Sequence, residues 1–198
     1  MIKRVFDIVV SFFGLVVILP VFFIIAIAVI VESRGGVFYL QKRVGKNNKD
    51  FKIFKFRTMY TNSDKKGLLT VGSDDKRITK IGLILRKYKL DELPQLINVL
   101  IGNMSLVGPR PEVRKYVNLY TSEQKKVLGV KPGITDPASL KYSNENEILA
   151  QFDDPEKVYI EEIMQAKLNI NLEYIKTRSL KSDFKVIIDT LKKIKTSD

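Results

Sequence analysis

The chain contains no cysteine and no histidine. Their absence excludes a Cys/His zinc site, a thiol nucleophile and every histidine-based catalytic triad. Acid–base or nucleophilic work therefore falls to Asp, Glu, Lys, Tyr, Ser or Thr, and the redox compartment is left open. Internal repeats, low-complexity tracts and a nucleotide-binding glycine fingerprint are missing as well. Negative charge is scarce: 34 Lys and Arg stand against 22 Asp and Glu, a formal net charge of +12 with a pI near 9.7. Such a balance requires an anionic partner, whether nucleic acid, an acidic membrane surface or a phosphate-bearing substrate, and charge alone does not choose among them. A length of 198 residues gives room for one domain with a proper core plus an appendage.

That appendage is at the N-terminus. After the basic Met1-Ile2-Lys3-Arg4, residues Ile8 to Val31 are apolar apart from Ser11, small residues and Pro20. The run exceeds the ~20 residues that cross a bilayer. It is too long for a signal peptide and lacks a small-residue cleavage site. Both flanks are basic, so neither orientation of a spanning helix is favoured. Pro20 divides the run into halves of roughly 16–18 Å at ~1.5 Å per residue, each about half a bilayer. A helix broken at Pro20 that enters and leaves through one leaflet satisfies both flanks. Residues 1–35 are expected to form this re-entrant anchor, and 36–198 the cytoplasmic domain.

The cytoplasmic part reads as α+β and mainly helical. Val37 to Leu40 and Phe51 to Met59 are β-prone around Gly45-Lys46-Asn47-Asn48-Lys49, which predicts a small hairpin. Its Lys42, Arg43, Lys46, Lys49, Lys52, Lys55 and Arg57 suit a face against anionic headgroups. Asn62 to Arg77 reads as a polar loop whose Asp74-Asp75 pair fits a solvated turn better than a metal site. Thr79 to Tyr88 predicts a short basic helix. Leu93, Leu96, Ile97, Leu100 and Ile101 recur at helical spacing, so an amphipathic helix starts near Asp91, Glu92 and Pro94. Two adjacent acids reach one ion or phosphate only at such a helix end. Beyond it, Gly108-Pro109-Arg110-Pro111 restricts the backbone around a single arginine. Ser122 opens a further helix that ends before Val130. Two amphipathic helices follow, one from Pro155 through Ile170 and one over Phe184 to Ile194, the last with lysines that suit a membrane interface.

The string LDELPQLINVL followed by GNMSLVGPRP resembles the signature of the bacterial sugar transferases, small membrane-bound phosphoglycosyl transferases that act on polyprenol phosphates. KRVFDIVVS, QKRVGKNNKDFKIFKFRTM, RITKIGLILRKYKLDELPQL and VKPGIT resemble family segments in the family's order, up to about Thr135. The resemblance implies a monotopic enzyme that moves a phosphosugar from a nucleoside diphosphate sugar, a uridine one, to a polyprenol phosphate at the cytoplasmic face of the inner membrane, with Mg²⁺. It further implies that Asp91 is the nucleophile of a covalent phosphosugar intermediate, with Glu92 as metal ligand or assisting acid. Asp91 and Glu92 are the implied metal ligands, and Lys55, Arg86 and Arg110 the phosphate contacts. Asp183 matches an acidic position near the family's site. Two departures stand out. Leu19 rather than serine precedes Pro20, and Asp136-Pro137-Ala138-Ser139 replaces the family's Gly-Trp-Ala-Gln in a chain without tryptophan. The sugar is therefore not transferable from the resemblance.

Two other readings compete. A membrane-tethered nucleic-acid-binding protein fits the charge, but the lysines are spread along the chain without aromatic interleaving, so no nucleic-acid partner is expected. A glycosyltransferase would move the sugar alone and release the nucleoside diphosphate.

Overall fold

The structure, a computed structural model, describes residues 2–61, 63 and 75–195. Asp74 and most of the polar loop lie outside the described residues. The protein is mainly helical, with one antiparallel hairpin and one short parallel strand pair.

The apolar run forms a single helix, α1 (Ile2–Glu32). The helix is not interrupted at Pro20, which lies inside it, so the expected division into two separate half-helices is not seen. Exposed apolar side chains run the whole length of the helix, from Ile2 and Val5 to Ile27 and Val31, and only four positions are buried. Asp7 and Ser11 near its start and Ile25 and Val29 near its end are buried, whereas Phe12, Phe13, Val16, Val17 and Leu19 are exposed. Both ends are tied to the body. Arg4 donates to the carbonyls of Val99 (2.5 Å) and Leu100 (2.9 Å), and Asp7 accepts from the Ser105 hydroxyl (2.9 Å) and the Leu106 N–H (3.1 Å). At the far end, Arg57 donates to the Ser33 carbonyl (2.6 Å). Glu32 accepts from the N–H groups of Lys80 (2.6 Å) and Ile81 (2.9 Å).

The hairpin pairs β1 (Phe38–Val44) with β2 (Asp50–Phe56), in a register from Phe38 opposite Phe56 to Val44 opposite Asp50. Asn47 and Asn48 take the positive φ values of the turn, which asparagine tolerates better than branched residues. Its basic residues divide by role. Lys42, Lys46, Lys49 and Lys52 are exposed as a headgroup-facing set requires, but Arg43, Lys55 and Arg57 turn inward. Arg43 bonds Glu112 (2.8 Å), and Arg57 satisfies carbonyls at the C-terminal end of α1, where a cation complements the helix dipole.

Helix α2 (Lys80–Lys87) is capped by the Thr79 hydroxyl and by Glu32. Gly82 allows it to press on the strand end, since a Cβ there would lie 2.1 Å from the Thr58 carbonyl oxygen. Lys89 then adopts φ 55° and turns the chain into a 3₁₀ turn, Leu90–Glu92, followed by α3 (Gln95–Ile101). The buried positions of α3 are Gln95, Asn98 and Val99, not the whole apolar stripe. Leu96, Ile97 and Leu100 are half-buried and Ile101 is exposed. The reason is Asn98, whose amide reads the edge of β2: it accepts from the Phe54 N–H (2.9 Å) and donates to the Lys52 carbonyl (2.8 Å).

Strand β3 (Ser105–Val107) lies parallel to β4 (Gly133–Thr135), with α4 (Arg114–Val117) between them in sequence. This pairing brings the Gly-Pro-Arg-Pro segment against Lys131 to Gly133. A Cβ on Gly133 would lie 2.1 Å from the Gly108 nitrogen, so the approach requires glycine. The helix expected after Ser122 is only a 3₁₀ segment, Gln124–Gly129. The acidic stretch that follows is ordered as α5 (Pro137–Lys141), α6 (Glu145–Leu149) and α7 (Pro155–Val158). A π-helical turn, Tyr159–Ile163, joins α7 to α8 (Met164–Thr177), and α9 (Leu180–Lys195) closes the chain. On α9, Phe184 and Leu191 are exposed while Asp183 and Val186 are buried.

Candidate active site

Asp91 and Glu92 occupy the 3₁₀ turn ahead of α3, the position at which neighbouring side chains need not diverge as they do inside a helix. Three elements bring cations to them. Lys55 comes from β2 and bonds the Glu92 carboxylate (2.8 Å). Arg110, held between two prolines, grips both oxygens of Glu92, one at 3.0 Å and the other at shorter range. Arg86, near the end of α2, donates from Nε to the Thr58 hydroxyl (2.8 Å). Its charge is felt at Asp91.

The two acids are not equivalent. Burial opposes ionisation of Glu92, yet Arg110 and Lys55 outweigh it and hold that carboxyl well below the usual range. Burial is also the leading influence on Asp91, and there it prevails: its carboxyl is pushed upward, with Lys55 pulling the other way and Glu92 adding to the rise. The surrounding charges act on Asp91 at a distance, and no described residue hydrogen-bonds its carboxylate. Glu92 has both oxygens engaged. Burial pushes the Lys55 ammonium below the ordinary lysine range although Glu92 draws it up, and the Glu92 charge pins the Arg110 guanidinium in its charged form. Arg110 keeps 34% of its side chain exposed, so the cluster opens to solvent on that side.

Of the six residues singled out from the sequence, the structure brings together Lys55, Arg86, Asp91, Glu92 and Arg110. Asp183 is elsewhere. It is buried between Lys3 of α1 (2.5 Å) and the Tyr174 hydroxyl (2.5 Å), and Lys3 also donates to the Val107 carbonyl (3.1 Å). Asp183 thus ties α1 to α8 and α9 rather than joining the cluster. Three supporting residues escaped the sequence reading: Thr58, which anchors Arg86; Asn98, which fixes α3 to the hairpin; and Asp7, which fixes α1 to β3. Asp7 had a signal, since a carboxylate at the mouth of an apolar membrane run is costly unless something pairs with it.

Two carboxylates fit a magnesium ion in part. Mg²⁺ takes one or two carboxylates and completes its octahedron with water and phosphate oxygens. Asp91 offers an uncommitted carboxylate for this. Glu92 can join only by giving up Lys55 or Arg110, and no group of three or more potential ligands exists among the described residues.

The model of the bacterial sugar transferase family matches residues 1–197. A UDP-N-acetylgalactosamine-undecaprenyl-phosphate N-acetylgalactosaminephosphotransferase of Aeromonas hydrophila is 36% identical over 98% of this chain and 44% of its own length. A UDP-glucose:undecaprenyl-phosphate glucose-1-phosphate transferase of Escherichia coli K12 is 38% identical over 96% of this chain and 39% of its own length. Both relatives are thus more than twice as long as the part this chain matches. By contrast, an uncharacterized sugar transferase of Bacillus subtilis strain 168, EpsL, is 36% identical over 99% of this chain and 88% of its own length. A match over nearly every residue, on a fold that gathers Lys55, Arg86, Asp91, Glu92 and Arg110 at one turn, places the chain in the bacterial sugar transferase family.

Proposed function

We propose that the protein transfers a phosphosugar from a uridine diphosphate sugar to a polyprenol phosphate, with Asp91 as the covalent nucleophile. The observation that carries this reading is the contrast between the two acids: Glu92 is saturated by Lys55 and Arg110, while Asp91 is buried with its carboxylate free. An Asp91 oxygen attacks the phosphorus that bears the sugar. The new bond is an acyl phosphate, the bond from that phosphorus to the bridging oxygen breaks, and the nucleoside monophosphate leaves with the bridging oxygen. An oxygen of the polyprenol phosphate then attacks the same phosphorus, breaks its bond to Asp91 and restores the carboxylate. No net proton is consumed.

Two anions must approach each other and a carboxylate, so the site has to neutralise charge before it can orient the groups. Lys55, Arg86 and Arg110 supply three positive charges against two negative ones. Arg110 presents a fork that fits two phosphate oxygens, and its prolines keep it in place. Bound Mg²⁺, held by Asp91 and by Glu92 once it exchanges a cation to the donor, would supply further neutralisation of the diphosphate.

The anchor is read as re-entrant, at the cytoplasmic face of the membrane. Lys3, Arg4 and Asp7 near one end of α1 bond the same body that Glu32 and Ser33 bond at the other. A spanning helix would place those two ends on opposite sides. Ile2→Cys and Gly36→Cys are both expected to be labelled by an impermeant thiol reagent from the cytoplasmic side only. Exclusive periplasmic labelling of the first would show a spanning helix.

Intact-protein mass tests the chemistry. With donor and Mg²⁺ but no polyprenol phosphate, the protein should gain the mass of a phosphosugar, and the released nucleotide should be the monophosphate. Release of the diphosphate would overturn the reading. Monophosphate release without an adduct, together with intersecting-line kinetics, would reduce Asp91 to a metal ligand.

A further inference from the structure

Arg110 is among the residues that line a small cavity bounded by Gly45, the Pro109–Glu112 segment and α8. Its interior is about 40 Å³, against the ~10–15 Å³ that one water needs, so it holds a group of three or four heavy atoms and not a whole sugar ring. Its walls are largely apolar, with Met164 and Leu168 of α8 and the rings of Tyr120 and Tyr159. Asn171, one turn further along α8, also lines it. Asn171 is 5% exposed, and its side-chain oxygen is buried with no hydrogen-bond partner. A buried amide oxygen left unpaired costs about 1–3 kcal/mol, which makes it a feature that needs a reason.

Resting on the phosphosugar-transfer reading, we propose that this cavity receives the 2-acylamino substituent of the donor sugar, and that Asn171 is a specificity-determining residue which accepts a hydrogen bond from its N–H. The dimensions and the chemistry agree. An acetamido group has four heavy atoms, one N–H donor and a methyl that suits the Met164 and Leu168 walls. A hydroxyl at the same carbon fills only the mouth and leaves the apolar wall wet. The location agrees as well: Arg110 belongs both to the cavity lining and to the cluster around Glu92, so a diphosphate held by Arg110 has its sugar next to the opening. Tyr159 is fixed by its hydroxyl donating to Glu112, so that wall is rigid. The relatives do not decide the matter, because one is named for an N-acetylgalactosamine donor and another for a glucose donor.

Full-length protein in detergent, assayed for nucleoside monophosphate release with undecaprenyl phosphate and four donors, tests the assignment. The donors are UDP-glucose, UDP-galactose and their 2-acetamido counterparts. The wild type should prefer the acetamido member of a pair by at least tenfold in kcat/KM. Asn171→Leu should erase that preference by lowering kcat/KM for the acetamido donors while leaving the hydroxyl donors within threefold. Leu168→Phe, which fills the same space from the neighbouring turn of α8, should do likewise and guards against a folding defect special to Asn171. Equal use of both members of each pair by the wild type overturns the cavity assignment alone. So does an equal loss on all four donors in both variants, which would indicate that the cavity serves the uridine or the fold. No monophosphate from any donor would overturn the transfer reading and the assignment with it.

Discussion

Two buried carboxylates, Asp91 and Asp183, each have a lysine nearby, and they serve opposite ends. Around Asp183 the accounting closes: one oxygen takes Lys3 and the other takes the Tyr174 hydroxyl, so the start of the chain is held to the α8–α9 pair near its end. At Asp91 it stays open, since the nearby cations are spent on Glu92 and Thr58. The contrast teaches that burial of an acid says little by itself. What distinguishes a reactive carboxylate from a structural one is whether its lone pairs are already used.

Exchanging the charge of each acid for a neutral group separates the two roles. Asp91→Asn keeps the shape and removes the proposed nucleophile, so turnover should fall at least roughly a thousandfold and the phosphosugar adduct should vanish from the mass spectrum. The same variant should melt no lower than the wild type at neutral pH. The folded state holds the Asp91 proton more tightly than the unfolded chain does, so the stability this group contributes is greatest in acid and declines as pH rises through its raised value. An Asp91→Asn protein that melts several degrees lower would place Asp91 among the structural acids.

Next in size is Arg110→Lys, for which kcat/KM should drop roughly ten- to a hundredfold, because an ammonium cannot grip two oxygens of one group. Activity within a few-fold of the wild type would leave Arg110 as a turn residue. Asp183→Ala should show the reverse pattern. Its loss frees Lys3 and Tyr174 at a cost of about 2 kcal/mol, discounted for the partial exposure of Lys3, and lowers the melting temperature by roughly 4–8 °C. The kcat/KM of the folded fraction should stay within about threefold, and a loss of activity without a loss of stability would return Asp183 to the site. The smallest effect is in pH. Asp91 must be ionised to attack, so the acid limb of kcat/KM should sit above the ordinary aspartate range, and replacing Lys55 with Met, which removes a cation that favours the carboxylate, should move the limb further up. A limb that does not move would detach Lys55 from Asp91.

The elements that were legible in sequence are those with local rules. The hairpin has alternating strands around a glycine–asparagine turn, α2 has its threonine cap, and the five clustered site residues lie in strings with a distinctive pattern. What was not legible depends on contacts between distant segments. Strands of three residues such as β3 and β4 have no periodicity to read, and their pairing rests on two glycines more than twenty positions apart. The pattern puts Asp183 near the site, whereas in the structure its carboxylate bonds Lys3, almost the whole chain away. The apolar stripe of α3 suggested burial of the wrong face, because hydrophobic spacing cannot reveal that Asn98 would be worth more inside than Ile101.

That asparagine has one more consequence. A two-stranded hairpin ordinarily exposes its outer edge, and an edge with free backbone groups invites a strand from another molecule. On β2 the two groups flanking Ile53 are already occupied by the Asn98 amide. Asn98 thus acts as a stopper on the sheet as well as a strut for the helix. In a protein that also carries a long exposed apolar helix, that single amide protects against intermolecular β-sheet growth, and the yield of soluble, monodisperse protein should be more sensitive to this position than its distance from the exposed surface suggests.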